Sequence, residues 1–96
     1  MAVIEVVTFR LGPAADESQF LEADGRVQTE FHYHQPGFLR RTTARRGDDW
    51  LVLTVWGSGS DAEAAAEACR HHAAVARWAT FLDRSSVVTT GYDTLD

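Results

Sequence analysis

The 96-residue sequence has no lysine, no asparagine and a single cysteine, and acidic residues outnumber basic ones by 14 to 9. Each shortage excludes something. One thiol, Cys69, rules out an internal disulfide framework and any multi-thiolate zinc site, and its place among alanines predicts a small packing residue of the core. A formal charge of -5 leaves no net basic face for nucleic acid or an anionic membrane surface. No apolar run approaches the roughly 18 residues of a membrane span. The N-terminus lacks the charged, apolar and small-residue succession of a signal peptide, so a cytoplasmic location is expected. The bias toward alanine and arginine is the compositional mark of GC-rich coding, and the missing asparagine withdraws one common catalytic group.

What is present is a chain 45% hydrophobic, enough for one compact domain with a modest core. "AVIEVVTFRL" (2–11) is β-branched and apolar and stops at Gly12-Pro13, which reads as a strand and a turn. Asp16 or Ser18 then caps a helix predicted over 17–34. Pro36-Gly37 ends it and launches a strand, "FLRRTTARR" (38–46). After a Gly47-Asp48-Asp49 turn, "WLVLTVW" (50–56) is the strongest strand of the sequence. Ser60 or Asp61, with Glu63, opens an alanine-rich helix. At about 100° per residue, Ala62, Ala66, Cys69 and Ala73 share one side of it, whereas Val75, Trp78 and Leu82 fall nearly opposite. One straight helix cannot bury both sets, so a break is predicted at His71 to Ala74. "SSVVTTGYDTL" (85–95) is the last strand, with Gly91 at a bulge or close approach.

The order β-α-β-β-α-β predicts an α+β, ferredoxin-like domain: a four-stranded antiparallel sheet with its helices on one face. Leu51, Leu53 and Val55 line one side of the third strand, and Trp50, Val52, Thr54 and Trp56 the other, so neither side is polar. In the first strand Ile4 and Val6 oppose Val3, Val7 and Phe9 in the same way. Two helices cover only one face, and the other calls for a second copy of the sheet, which predicts a homodimer.

The succession "QPGFLRRT", "WLVLTVWGS" and "SDAEAAAEACRHH" resembles the dimeric α/β-barrel superfamily and, within it, the antibiotic-biosynthesis-monooxygenase-like domains. The resemblance runs over nearly the whole chain. It implies two sheets paired into a barrel, with a pocket between each sheet and its helices. The activities it implies are varied: cofactor-free oxygenation of quinol-like aromatics, haem degradation, dye peroxidation, isomerisation and decarboxylation. The haem-degrading subgroup uses an Asn on the first strand and a Trp inside the second helix. Here there is no Asn, and Ala64, Ala65 and Ala66 stand where the Trp would fall, which argues against haem and weakens the quinol reading.

Among candidate site residues, Asp24 lies between Phe20 and Val27 on the apolar stripe of the first helix. A carboxylate there either pairs with an arginine or borders a cavity as a general base, with Gln28 as its hydrogen-bonding neighbour. His71 and His72 point about 100° apart and cannot readily share a metal. One of them, His72 ahead of His71, is the candidate for the pocket; the plainer reading is a pair of helix-terminal histidines. His32 and His34 have no carboxylate to complete a metal site, and no metal or cofactor is expected. Arg40 and Arg46 share one face of the second strand, Arg41 and Arg45 the other; Arg40 is the candidate partner for a substrate anion, with Tyr92. Phe31, Trp56 and Trp78 are the candidate apolar wall. The expected function is a small-molecule pocket, that of a cofactor-independent monooxygenase or related enzyme acting on a hydrophobic aromatic or polyketide-like substrate. The alternative is a non-catalytic dimeric ligand-binding or stress-associated domain.

Overall fold

The computed structural model describes residues 1–96. Strands β1 (Val3–Phe9), β2 (Phe38–Arg46), β3 (Asp49–Trp56) and β4 (Val88–Asp93) form one antiparallel sheet in the order β2-β3-β1-β4. Helices α1 (Glu17–Arg26), α2 (Gly59–Cys69) and α3 (Ala73–Ala79) complete the ferredoxin-like βαββαβ arrangement that the sequence predicts. β2 occupies the residues expected of it. β1 and β4 are shorter than expected, and a 3-10 turn at Arg84–Ser86 precedes β4.

Local chemistry sets the helix ends. The Asp16 carboxylate accepts the Gln19 N–H at 2.9 Å and so starts α1. α2 is capped by Ser58, whose hydroxyl accepts the Asp61 N–H at 3.2 Å, rather than by Ser60 or Asp61. The predicted break is present: α2 stops at Cys69, His72 is extended, and α3 begins at Ala73. The kink lets Trp78 pack on Phe9 and Phe20 while Cys69 and Val75 pack elsewhere.

The predicted helix over 17–34 needs correction. α1 ends at Arg26, and the chain continues as one π-helical turn, Val27–Phe31, and a 3-10 turn, His32–His34. A π turn holds an extra residue and brings position i+5 beneath position i. His32 therefore lies under Val27, with its Nδ1 3.3 Å from the Val27 carbonyl, and is buried.

The Pro36-Gly37 turn is locked onto β3. Gly37 has φ +76°, its carbonyl accepts the Gly57 N–H at 2.7 Å, and a Cβ added there would fall 2.1 Å from Asp61 Oδ2. Only glycine meets both the conformation and the space.

Two apolar clusters lie between sheet and helices. One holds Phe9, Phe20, Trp50, Val52 and Leu82; the other holds Phe31, Trp56 and Ala65. Trp50, Val52, Thr54 and Trp56 face the helices and are buried, whereas Leu51, Leu53 and Val55 face the other way and stay half-buried. By register, Ile4 and Val6 of β1 join the uncovered side, together with Arg40 of β2 and Tyr92 of β4.

Candidate functional site

Between the two clusters lies a cavity of about 290 Å³. Its origin is legible in the side-chain sizes: α2 presents Ala62, Ala65 and Ala66 to the sheet, and methyl groups cannot fill the space above it. The walls are Phe31, Trp56, Val75 and Trp78, and the rim includes the exposed Ala66, Val87 and Thr89.

The floor carries a polar row. On the helix-facing side, Arg41 of β2 pairs in register with Thr54 of β3, Thr54 with Glu5 of β1, and Glu5 with Gly91 of β4. Apolar pairs flank this row, Val3 with Trp56 and Val7 with Val52. Glu5 makes no ion pair, and burial pushes its carboxyl above the usual carboxylate range.

Arg41 is held from behind. Its Nη2 donates to Asp24 Oδ1 at 2.7 Å, with side-chain exposures of 2% for Arg41 and 11% for Asp24. Asp24 also accepts the Thr43 hydroxyl at 2.6 Å and the Trp78 indole N–H at 2.9 Å. This carboxylate orients an arginine and a tryptophan that line the cavity while not lining it itself.

Two donors on residues that line the cavity remain unpaired: Arg41 Nε–H and Trp56 Nε1–H are buried with no acceptor in the protein. A buried unpaired N–H costs about 1–3 kcal/mol, a cost that an acceptor oxygen on a bound molecule would relieve.

His32 completes the polar lining. Burial, then the Arg41 charge, lower its pKa to about 4, so the ring is neutral at physiological pH. A carbonyl only accepts, so the contact with Val27 places the proton on Nδ1 and leaves Nε2 as the lone-pair nitrogen. Its ring lies 5.8 Å from Trp56 at an interplanar angle of 32°.

The structure sorts the residues singled out from the sequence. Phe31, Trp56 and Trp78 line the cavity. Asp24 is buried as its stripe position implies, but its oxygens are taken by Arg41, Thr43 and Trp78, and Gln28 donates to Tyr33 instead. His72 is the N-cap of α3, its Nδ1 accepting the Ala74 N–H at 3.2 Å, and it touches the site only by packing 5.3 Å from Phe31. His71 is 76% exposed beside Glu67. Arg40 and Tyr92 belong to the opposite sheet face, because Arg40 pairs with Val55 and Tyr92 with Ile4. The arginine at the cavity is Arg41. Cys69 is half-buried at the cavity rather than sealed in the core, its thiol pKa raised chiefly by burial and then by Glu5.

Glu5, His32 and Arg41 were thus missed. Alternation along "VIEVV" could have flagged Glu5, since it shares a face with Val3 and Val7; His32 required the π turn. No group of three histidine, cysteine or carboxylate side chains is placed to hold a metal ion. A wider groove at the other end of the sheet, lined by Arg10, Arg45 and Asp49, is an ionic surface: Arg10 pairs with Asp49 at 2.9 Å and Arg45 with Glu17.

Fold and cavity together define a ferredoxin-like domain with a small apolar pocket between sheet and helices. Solved structures similar to this chain share the fold, and antibiotic-biosynthesis-monooxygenase-like proteins are among them. SnoaB, a cofactor-independent oxygenase from Streptomyces nogalater, solved as a mutant, superposes with a TM-score of 0.75 at 18% identity over 99% of this chain and 94% of its own. A candidate antibiotic biosynthesis monooxygenase from Chloroflexus aurantiacus gives 0.76 at 13% identity over 100% and 95%. A dimeric ferredoxin-like protein of unknown function from Thermobifida fusca gives 0.76 at 16% over 98% and 92%. No family model matches the sequence, and no curated protein matches it.

Proposed function

We propose that this protein is a cofactor-independent oxygenase acting on a flat, hydrophobic aromatic or polyketide-like compound that carries an ionisable hydroxyl or methylene. The observation that carries the reading is the pair of unpaired buried donors, Arg41 Nε–H and Trp56 Nε1–H, at an aromatic-walled cavity. Donors so fixed meet the charge that develops on a substrate oxygen when a proton leaves. Within the cavity two groups can accept that proton. His32, its pKa held to about 4, serves at neutral pH as a hydrogen-bond acceptor rather than a proton store, which leaves Glu5, whose carboxyl is raised, as the base. The substrate anion then supplies the electrons to dioxygen directly. For a methylene carbon, one oxygen atom becomes the new carbonyl and the other leaves as water with both hydrogens. The likeness to SnoaB supports the reaction type.

The reading includes a homodimer in the cytoplasm, with Ile4, Val6, Leu51, Leu53 and Val55 as the face that meets the second copy; their partial exposure in a single chain supports it. No helix is long and apolar enough to cross a membrane.

A second reading, a non-catalytic ligand-binding domain, is favoured by the use of Asp24 and His72 for architecture. Thermal-shift titration with naphthols and hydroxyanthrones, together with oxygen uptake, separates the two. Stabilisation with oxygen uptake that falls in Arg41→Met and Glu5→Gln is expected; stabilisation without uptake establishes the binding domain, and absence of both refutes the pocket.

A further inference from the structure

We infer that Glu5 makes the pocket two-ended, so that its ligand must present a hydrogen-bond donor to Glu5 at one end and an acceptor oxygen to Arg41 and Trp56 at the other. The inference deepens the oxygenase reading and rests on the same cavity holding the ligand.

The geometry comes from the sheet. Glu5 and Arg41 lie in one row on the same face with Thr54 between them, two inter-strand spacings and so about 10 Å apart at Cα. The Arg41 guanidinium is tied to Asp24, away from Glu5, and cannot neutralise it. Nothing else does so. On β4 the neighbour is Gly91, which has no side chain, and on β3 it is the neutral Thr54. The titratable group facing it from α2 is Cys69, a thiol that adds no positive charge. Val3 and Val7 flank it along β1. A half-buried carboxylate in such surroundings is short of donors, and a hydroxyl or amine on the ligand supplies one. The Trp56 ring leans to the β2 side, 5.8 Å from both Phe38 and His32, and there Arg41 and Trp56 are each short of an acceptor. A ligand with one polar end leaves one pole unsatisfied.

The test compares two stable fluorescent probes of equal ring size, 2-naphthol with one hydroxyl and 2,6-dihydroxynaphthalene with hydroxyls at opposite ends. Titrated against the wild-type protein by fluorescence, the dihydroxy probe should bind about tenfold or more tighter, the effect of a hydrogen bond to a charged group. In Glu5→Gln, shown folded by circular dichroism, that preference should shrink to a few-fold, and in Glu5→Ala it should vanish. Equal binding of the probes by wild type overturns the two-ended pocket while leaving the cavity as a ligand site. A preference that survives in Glu5→Ala assigns the second pole elsewhere and also overturns it. Binding of neither probe refutes the oxygenase reading and this inference together.

Discussion

Replacing Asp24 by alanine probes the junction on which both fold and site depend. In the native chain its carboxylate accepts from Arg41 Nη2, the Thr43 hydroxyl and the Trp78 indole, and both ion-pair partners are nearly sealed from water. Removal strands the Arg41 charge in an interior where it is 2% exposed, and leaves the Trp78 N–H without an acceptor. Breaking a buried pair from one side costs about 3–5 kcal/mol. A domain of this size is stable by only about 5–15 kcal/mol, so Asp24→Ala should be marginally folded at 25 °C. Asp24→Asn keeps the shape and one acceptor oxygen and should lie between wild type and alanine. The double replacement Asp24→Leu/Arg41→Met removes both charges and should recover most of the loss, because an apolar pair of similar volume needs no desolvation. Urea unfolding followed by tryptophan fluorescence measures all four proteins. A loss below about 1 kcal/mol in Asp24→Ala, a value typical of exposed pairs, would refute the structural role and return Asp24 to the candidates for catalysis.

Acid should destabilise the protein through His32. The unfolded imidazole titrates near 6.5 and the folded one near 4, so the unfolded chain binds the proton first, and stability falls as pH drops from about 6.5 to 4, by about 3 kcal/mol in all. The raised Glu5 carboxyl acts with the opposite sign, so the comparison is between wild type and His32→Phe, whose stability-pH profile should be flatter over this window in urea titrations. Gly37→Ala should cost about 1–3 kcal/mol for the positive φ alone, with the Asp61 clash in addition, and thermal unfolding measures it. Leu53→Glu, on the uncovered face, should convert a dimer to a folded monomer in sedimentation velocity; an unchanged mass would place the interface elsewhere. Ala66→Leu at the exposed rim should leave the melting temperature nearly unchanged while weakening naphthol binding about tenfold or more, and unaltered binding would mean that the ligand does not enter by that mouth.

How far the sequence reaches can be judged from particular residues. Capping chemistry, alternation in "WLVLTVW" and the face change of the alanine-rich segment are local properties, fixed by dihedral preference and side-chain periodicity, and they led to the observed element order and to the break at His72. Small side chains on α2 likewise foreshadow a cavity. The aromatic wall of Phe31, Trp56 and Trp78 was legible for the same reason, since large apolar groups at a fixed phase must turn inward.

The polar part of the site was not legible in this way. Alternation shows that Arg40 and Arg41 face opposite sides of β2, but which side the helices cover is decided by the packing of the whole chain, and it selects Arg41. Whether a buried Asp24 is a base or a brace depends on what lies across from it, and Arg41 and Thr43 are 17 and 19 residues away. His32 enters the pocket because one turn widens by a residue, a departure from helical phase that no propensity scale encodes. By itself the sequence determined the elements, their order and which side chains must avoid water, because those follow from interactions within a few residues. Only the tertiary structure decided which charged groups meet, and so left Arg41, Trp56 and Glu5, rather than Asp24 and His72, lining the cavity.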